Sequence, residues 1–233
     1  MLRIFLALSL LITAVIPARA NEALERAETA RAVLSNVMYM PENRIPFQLL
    51  ERAEAIAVIP GVIKAGFIIG GQRGKGLLSV RQADGSWSLP VYLKFAGGSV
   101  GFQAGVQSTD VVLVFTAERS INRILDGTFT LGADAAVAAG PVGRQTGAST
   151  DHRLDAEIYS YSRSRGLFAG ISLDGSVMDI DLEATRTAYG DQAAPRRVLA
   201  GEVTQRPDAV IDFADMLEEL SAVAWQQSQQ SDE

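Results

Sequence analysis

Gly66-Phe67-Ile68-Ile69-Gly70-Gly71-Gln72-Arg73-Gly74-Lys75-Gly76-Leu77-Leu78-Ser79-Val80 sets glycines at short intervals between apolar, strand-like pieces. Glycine inside a strand marks a bulge, a tight bend or a close backbone approach, so this is β-structure that has to curve. The texture continues from Val62 to Leu182. Strand-like segments are expected at Gly66 to Gly70, Gly76 to Val80, Ser86 to Phe95, Val100 to Val106, Val111 to Phe115, Thr128 to Ala139, Glu157 to Ser162, Leu167 to Leu173 and Ser176 to Asp181. Such a series predicts an α+β fold: a strongly curved or barrel-like antiparallel β-sheet of many short glycine-rich strands, with N-terminal and C-terminal helices packed on it.

Two Asp-Gly pairs, Asp84-Gly85 and Asp174-Gly175, fall between strand-like runs, where the positive backbone angles of a tight hairpin turn are needed. Thr116 to Leu125 interrupts the strands as a short helix, with Thr116 placed to cap it and Ile121, Ile124 and Leu125 on one face. Residues 21–38 carry Leu24, Ala27, Val33, Leu34 and Val37 at helical spacing, and Phe47 to Ala55 reads as a second short helix ahead of the apolar run Ile56 to Ile59. Leu182 to Tyr189 also reads as helix. In Asp208 to Gln226 the stripe of Val210, Ile211, Phe213, Met216, Leu217, Leu220 and Val223 predicts a longer one.

The two ends have their own character. Arg3, the apolar run Ile4 to Ile16 and the small-residue site Ala18-Arg19-Ala20 have the three-part form of a cleavable secretory signal peptide. The apolar run is shorter than the roughly 20 residues that cross a bilayer. Residues 1–20 are therefore expected to be removed on export, leaving 21–226 as one domain and 227–233 as an unstructured polar tail. The expected location is the periplasm, or outside the cell.

Removing residues 1–20 takes away two arginines and no acid, leaving 19 basic and 27 acidic residues, a net charge of −8. A chain this acidic is not a nonspecific nucleic-acid binder. It contains no cysteine and a single histidine, His152, so disulfides are excluded and the usual Cys/His zinc sites cannot be built. No metal or cofactor is implied.

Several motifs compete for a functional reading. Gly97-Gly98-Ser99-Val100-Gly101 has the spacing of a nucleophile elbow, and Asp110, Asp134 and His152 follow in the chain order of a hydrolase triad. A serine hydrolase using Ser99 is thus one alternative, although the alternation of Val100, Phe102, Ala104 and Val106 is that of a strand, where an elbow needs a helix. Gly70 to Gly76 invites comparison with a phosphate loop, but Ile69 stands where the first glycine belongs and Gly76 where a metal-binding Ser or Thr does. As a basic hairpin tip it keeps its interest. Ala55 to Ala83 contains Lys64, Arg73, Lys75 and Arg81 and no acid, whereas Gly201 to Glu233 sets Arg206 against eight acids. Arginine forks and lysine point charges are the usual partners of phosphate. Asp174 to Asp181 lacks the spacing of a calcium loop and reads as a hairpin. Tyr159 and Tyr161 alternate with serines and should share one sheet face.

The blocks Lys64-Ala65-Gly66-Phe67-Ile68-Ile69-Gly70-Gly71, Trp87-Ser88-Leu89-Pro90, Gly97 to Gly105 and Ser108-Thr109-Asp110-Val111-Val112 resemble those of the SYLF domain family. Leu131 to Ala135, Gly140 to Arg144, Tyr159 to Arg163, Gly166 to Gly170 and Tyr189-Gly190 continue the resemblance in order, from about Ala23 to Leu220. The resemblance implies a lipid-binding, non-enzymatic domain. Eukaryotic members of the family bind phosphoinositides and in some cases actin filaments, while bacterial members are commonly exported. This chain lacks the SH3 or FYVE modules of some eukaryotic members, and an exported protein meets no actin, so actin binding is not carried over. The family's membrane contact is attributed in part to an amphipathic N-terminal stretch, yet the first helix here sets Glu22, Glu25 and Glu28 against Arg26 and Arg31.

The expected partner is therefore a phospholipid or membrane surface, met by Lys64, Arg73, Lys75 and Arg81, joined by Lys94 and Arg144. An envelope protein that engages edge strands or the acidic C-terminal helix is the alternative.

Overall fold

The computed structural model describes residues 21–40, 44–140, 156–164, 167–168 and 173–231. Among them are six helices: α1 (residues 21–38), α2 (Phe47–Glu51), α3 (Glu118–Asp126), α4 (Leu182–Tyr189), α5 (Pro195–Leu199) and α6 (Asp208–Ser231). The strands are β1 (Ala55–Val80), β2 (Val91–Phe115), β3 (Phe129–Thr130), β4 (Val137–Ala139), β5 (Ile158–Ser164), β6 (Leu167–Phe168) and β7 (Val177–Ile180). They form one mixed sheet curled into a half-barrel with helices packed on it. Residues 1–20, expected as a signal peptide, Pro141 to Gly143, Arg144 and His152 lie outside the described residues.

The α+β class and the strong curvature are as expected, but the sheet is not assembled from many short strands. Most of it is a single ribbon of two long ones, with β1 antiparallel to β2 from Ala55↔Phe115 to Leu78↔Val91. Segments read as separate strands on either side of each glycine belong to one strand that continues through it. Along its other edge β2 shares its length, pairing with β7 at Leu93 to Ala96 and with β5 at Asp110 to Phe115. One pair departs from the antiparallel pattern, because β4 runs parallel to β5.

The curl comes from β1 folding back on itself. Ile59 and Gly74 would stand roughly 50 Å apart along a straight strand at about 3.3 Å per residue. Instead, a Cβ placed on Gly74 would lie 2.7 Å from Ile59 Cγ2 and 3.0 Å from Val62 Cγ2. One on Gly76 would lie 2.9 Å from Ile59 Cα and closer still to the Val58 carbonyl oxygen. The two legs of the ribbon therefore pack against each other on their inner face, and glycine is what lets the backbones meet. Two register shifts, between Ile59 and Val62 and between Gly66 and Ile68, supply the bends. At the first, Gly61 takes φ +56° and donates its N–H to Asp110 Oδ1 at 2.9 Å. The extra residue returns Ile59 and Val62 to the same face, and both are buried.

Helices close the outer face of the ribbon at its ends. α1 lies over Leu77 and Tyr92, with the Tyr92 hydroxyl donating to Ala23 O at 3.0 Å. Its buried stripe is Ala23, Ala27, Ala30, Leu34 and Val37; alanines rather than Leu24 face inward, which lets the helix axis approach the sheet. Burial of side chains the size of Leu34 and Val37 contributes about 1.5–3 kcal/mol each.

The helix α6 buries Val210, Phe213, Met216 and Leu217 as its spacing predicted, but near its end Ala224 is buried and the expected Val223 is exposed; the helix runs on to Ser231 through residues expected as an unstructured tail. The helix after β2 starts later than expected. Ala117 occupies its N-cap with no side-chain bond, while the Thr116 hydroxyl donates to Ala156 O at 3.0 Å, because Thr116 still belongs to the pairing with the β5 side. Both Asp-Gly turns form, with φ +87° at Gly85 and +77° at Gly175. Tyr159 and Tyr161 are both buried.

Candidate functional site

Three of the six cations singled out in the sequence come together where the ribbon emerges from beneath α1. Lys75 and Lys94 are paired across β1 and β2, and Arg73, paired with Ala96, is the next residue on the same outer face. Arg73, Lys75 and Lys94 are all exposed.

Two carboxylates are set among these cations, and they differ in kind. Asp181, 4% exposed, caps α4 by accepting from the Ala184 N–H at 3.2 Å, and it also takes Arg26 Nη1 at 3.1 Å and Lys94 Nζ at 3.2 Å. Burial alone would raise its carboxyl, but the Ala184 N–H, Arg26 and Lys94 outweigh burial and hold it below the ordinary carboxylate value. Arg26, 9% exposed, is fixed further by lying 5.3 Å over the Tyr92 ring. Glu22, in contrast, is 56% exposed and reaches Lys75 Nζ at 2.7 Å and Arg26 Nη2 at 3.5 Å. Its hydrogen bond with Lys75 is the main cause of a lowered carboxyl pKa.

The cluster borders two open grooves. One, of about 230 Å³, lies between Glu22, Arg26, Lys75, Lys94 and Asp181. The other, of about 540 Å³, runs from Lys94 past Arg186 and Thr187 to Asp191. The smaller groove carries Arg26, Lys75 and Lys94 together with Glu22, Asp181 and Glu183, and of the two acids paired with its lysines only Glu22 stands exposed, where another anion can replace it.

The remaining expected site residues are elsewhere. Arg81 is structural: Nε donates to Ala53 O at 2.8 Å, Nη2 to Leu50 O at 2.8 Å and to Ser221 Oγ at 3.3 Å, and its guanidinium lies 4.8 Å from the Trp87 ring centre. Burial pushes its pKa down. Lys64 sits half-buried near the ribbon's second register shift, opposite Gln107 and away from the Lys75–Lys94 pair. The segment Gly70 to Gly76 is not a hairpin tip or a phosphate loop but continuous strand, paired with Leu93 to Ser99; the tip is at Gln82 to Ser86.

Ser99 is likewise within β2, opposite Gly70, and the strand runs on to Phe115, so the strand-turn-helix of a nucleophile elbow is absent. The acids of the notional triad serve the fold, Asp110 through Gly61 and Asp134 by accepting the Thr130 N–H at 2.7 Å. Among the described residues no cluster of His, Asp and Glu is placed to hold a metal.

Sequence reading missed Arg26, Asp181 and Glu22. The signal for Asp181 was its place directly before the helical run from Leu182, a cap position, but it was absorbed into the reading of Asp174 to Asp181 as a hairpin.

The fold is thus a curled sheet with helices packed on it and an ion cluster that borders two open grooves. Residues 96–220 match the family model described as "Ysc84: Las17-binding protein actin regulator", and the chain belongs to this Ysc84/SYLF family. It is similar to "Protein YSC84" of Saccharomyces cerevisiae, 36% identical over 193 residues, covering 81% of this chain and 41% of that protein. It is similar also to "LAS seventeen-binding protein 3" of the same yeast, 36% identical over 186 residues, covering 78% of this chain and 40% of the relative. The human "SH3 domain-containing YSC84-like protein 1" is 34% identical over 182 residues, covering 78% of this chain and 53% of the relative. The chain thus spans about half the length of the curated relatives it matches.

Proposed function

We propose that this protein is an exported, non-catalytic binding domain of the cell envelope whose Arg73, Lys75 and Lys94 receive the phosphate of an anionic lipid. The observation that carries the reading is the cross-strand pair Lys75–Lys94 with Arg73 beside it, exposed on one face at the mouth of a groove. Phosphate suits this set because an arginine fork and two ammonium groups can divide its oxygens between them. The names of the relatives connect them with Las17 and with actin regulation. An exported chain meets neither, so the reading rests on this chain's own cationic ledge and leaves the actin role with the relatives.

Flotation of residues 21–233 with phosphatidylcholine vesicles, with and without phosphatidylglycerol, tests the ledge. Binding is expected only with the anionic lipid, falling as salt is raised, and lost in the combined variant R73Q/K75Q/K94Q. Equal flotation of that variant, or none of either protein, overturns the reading. Export is tested separately by fractionating cells that make the whole chain. An envelope protein beginning at Asn21 is expected, and a cytosolic protein that keeps Met1 refutes it.

A further inference from the structure

The ribbon's apex carries a second kind of surface. The contacts that join the legs run between Val58 to Val62 on one side and Gly74 to Gly76 on the other, so the turning point of β1 lies near residues 67 and 68, at the second register shift. Among the described residues beside this apex, the outer face presents exposed apolar side chains. Val106 is 72% exposed and Ile63 43%, and Ala65, the cross-strand partner of Val106, is exposed with them. At both ends of the same ribbon the outer face is fully covered: Ile56, Val58, Leu77 and Tyr92 are buried. Apolar side chains left in water in the middle of a strand pair whose ends are capped by helices mark a contact surface.

Charge decides between occupants. The ribbon segment from Ala55 to Ala83 has no acid in a chain of net charge −6, and of its four cations one, Arg81, is bound into the scaffold. On the leg leading to the apex Lys64 is on the opposite face from Ile63 and Ala65, while on the leg leaving it Arg73 and then Lys75 opposite Lys94 share the outer face. A second copy of this chain would bring cations against cations. An anionic bilayer matches both properties, since apolar side chains enter the acyl boundary while flanking Lys and Arg stay among headgroups.

The geometry points to apex-first docking on an anionic lipid bilayer, with Ile63, Ala65 and Val106 entering the interface and Arg73 at headgroup level. This rests on the lipid reading above and adds to it an orientation and the residues that penetrate.

The absence of cysteine allows single labels. Val106→Cys and Ile63→Cys in residues 21–233 carry a nitrobenzoxadiazole probe, and Ser86→Cys at the hairpin tip serves as control. With phosphatidylglycerol-containing vesicles the probes at 106 and 63 are expected to shift to the blue, brighten and become protected from an aqueous quencher, while the probe at 86 stays unchanged. The double variant I63S/V106S, checked for folding by near-ultraviolet circular dichroism, is expected to lower vesicle affinity about tenfold or more. If the protein floats but probes 106 and 63 stay aqueous, apex docking is overturned while the cationic ledge stands. If the probes insert and R73Q/K75Q/K94Q binds as well as wild type, the ledge falls and the apex stands. Absence of flotation refutes both. A shift without vesicles that grows with protein concentration reports self-association and overturns the bilayer as occupant.

Discussion

Lys75 and Lys94 are direct cross-strand partners, yet each ammonium group has its own carboxylate: Glu22 at 2.7 Å from Lys75, and Asp181 at 3.2 Å from Lys94. Like charges directly opposite each other destabilise an antiparallel pair, so the two acids make the arrangement tolerable. They do so unequally. Asp181 is buried and built into a helix cap, whereas Glu22 stands in water and can be displaced.

Glu22 therefore competes with an incoming anion. Glu22→Gln is expected to strengthen binding to phosphatidylglycerol vesicles about two- to fivefold at low salt, the scale of an exposed ion pair, with the gain disappearing at high salt. A flotation titration of both proteins measures it. Unchanged or weaker binding by the variant would show that Glu22 does not guard the ledge.

Asp181→Asn removes the charge on which Arg26 and Lys94 converge while keeping the side chain's size. A loss of about 2–3 kcal/mol is expected from urea unfolding at pH 7, because buried Arg26 loses its buried carboxylate and keeps only the exposed Glu22 at 3.5 Å. The fold holds this carboxyl below its ordinary value, about 3.9 in an unfolded chain. Its stabilisation is complete above that value and is lost as pH falls through the lower folded one. The gap between wild type and variant should accordingly narrow below about pH 4 and stay constant from pH 5 to 7.

Gly76→Ala and Gly98→Ala separate close approach from mere strand composition. A Cβ at position 76 meets the backbone of Val58 and Ile59, which cannot swing aside; at position 98 it meets nothing within 4 Å. Gly76→Ala should cost about 3 kcal/mol or more and Gly98→Ala less than about 0.5 kcal/mol, read as shifts in the thermal midpoint. Equal effects would mean that the legs do not pack as described.

Arg81→Lys tests the reassignment of that residue from ligand to scaffold. Lysine keeps the charge but cannot span Leu50 O, Ala53 O and Ser221 Oγ at once, so a destabilisation of about 2 kcal/mol is expected with vesicle binding unchanged. Selective loss of binding in a fully stable variant would return Arg81 to the site.

Helical stripes and turns were legible because each is a local pattern. Phe213 and Leu217 fall on one face whatever surrounds them, and Asp84-Gly85 needs only its own backbone angles. The ribbon was half legible. Its residues read as β-structure, but Gly70, Gly71, Gly74 and Gly76 were taken to separate strands when they lie inside one and let it fold back. No local window contains that information, since Gly76 is required by Val58 and Ile59 rather than by its neighbours. The site failed for a similar reason. Basic residues are visible in a sequence, but which of them face each other depends on register, and register here depends on two shifts. Arg81 looked like its neighbours until Trp87 and α6 came to lie around it.

The same shifts bear on solubility. Among the described residues β1, 26 residues long, pairs with another strand along one side only. A flat edge of that length would invite a second chain to add on and a third to follow. Register breaks at Ile59/Val62 and Gly66/Ile68, with Lys64, Arg73 and Lys75 spaced along the strand, deny a newcomer any long straight template. What shapes the half-barrel thus also protects the protein against stacking into fibrils through its longest strand.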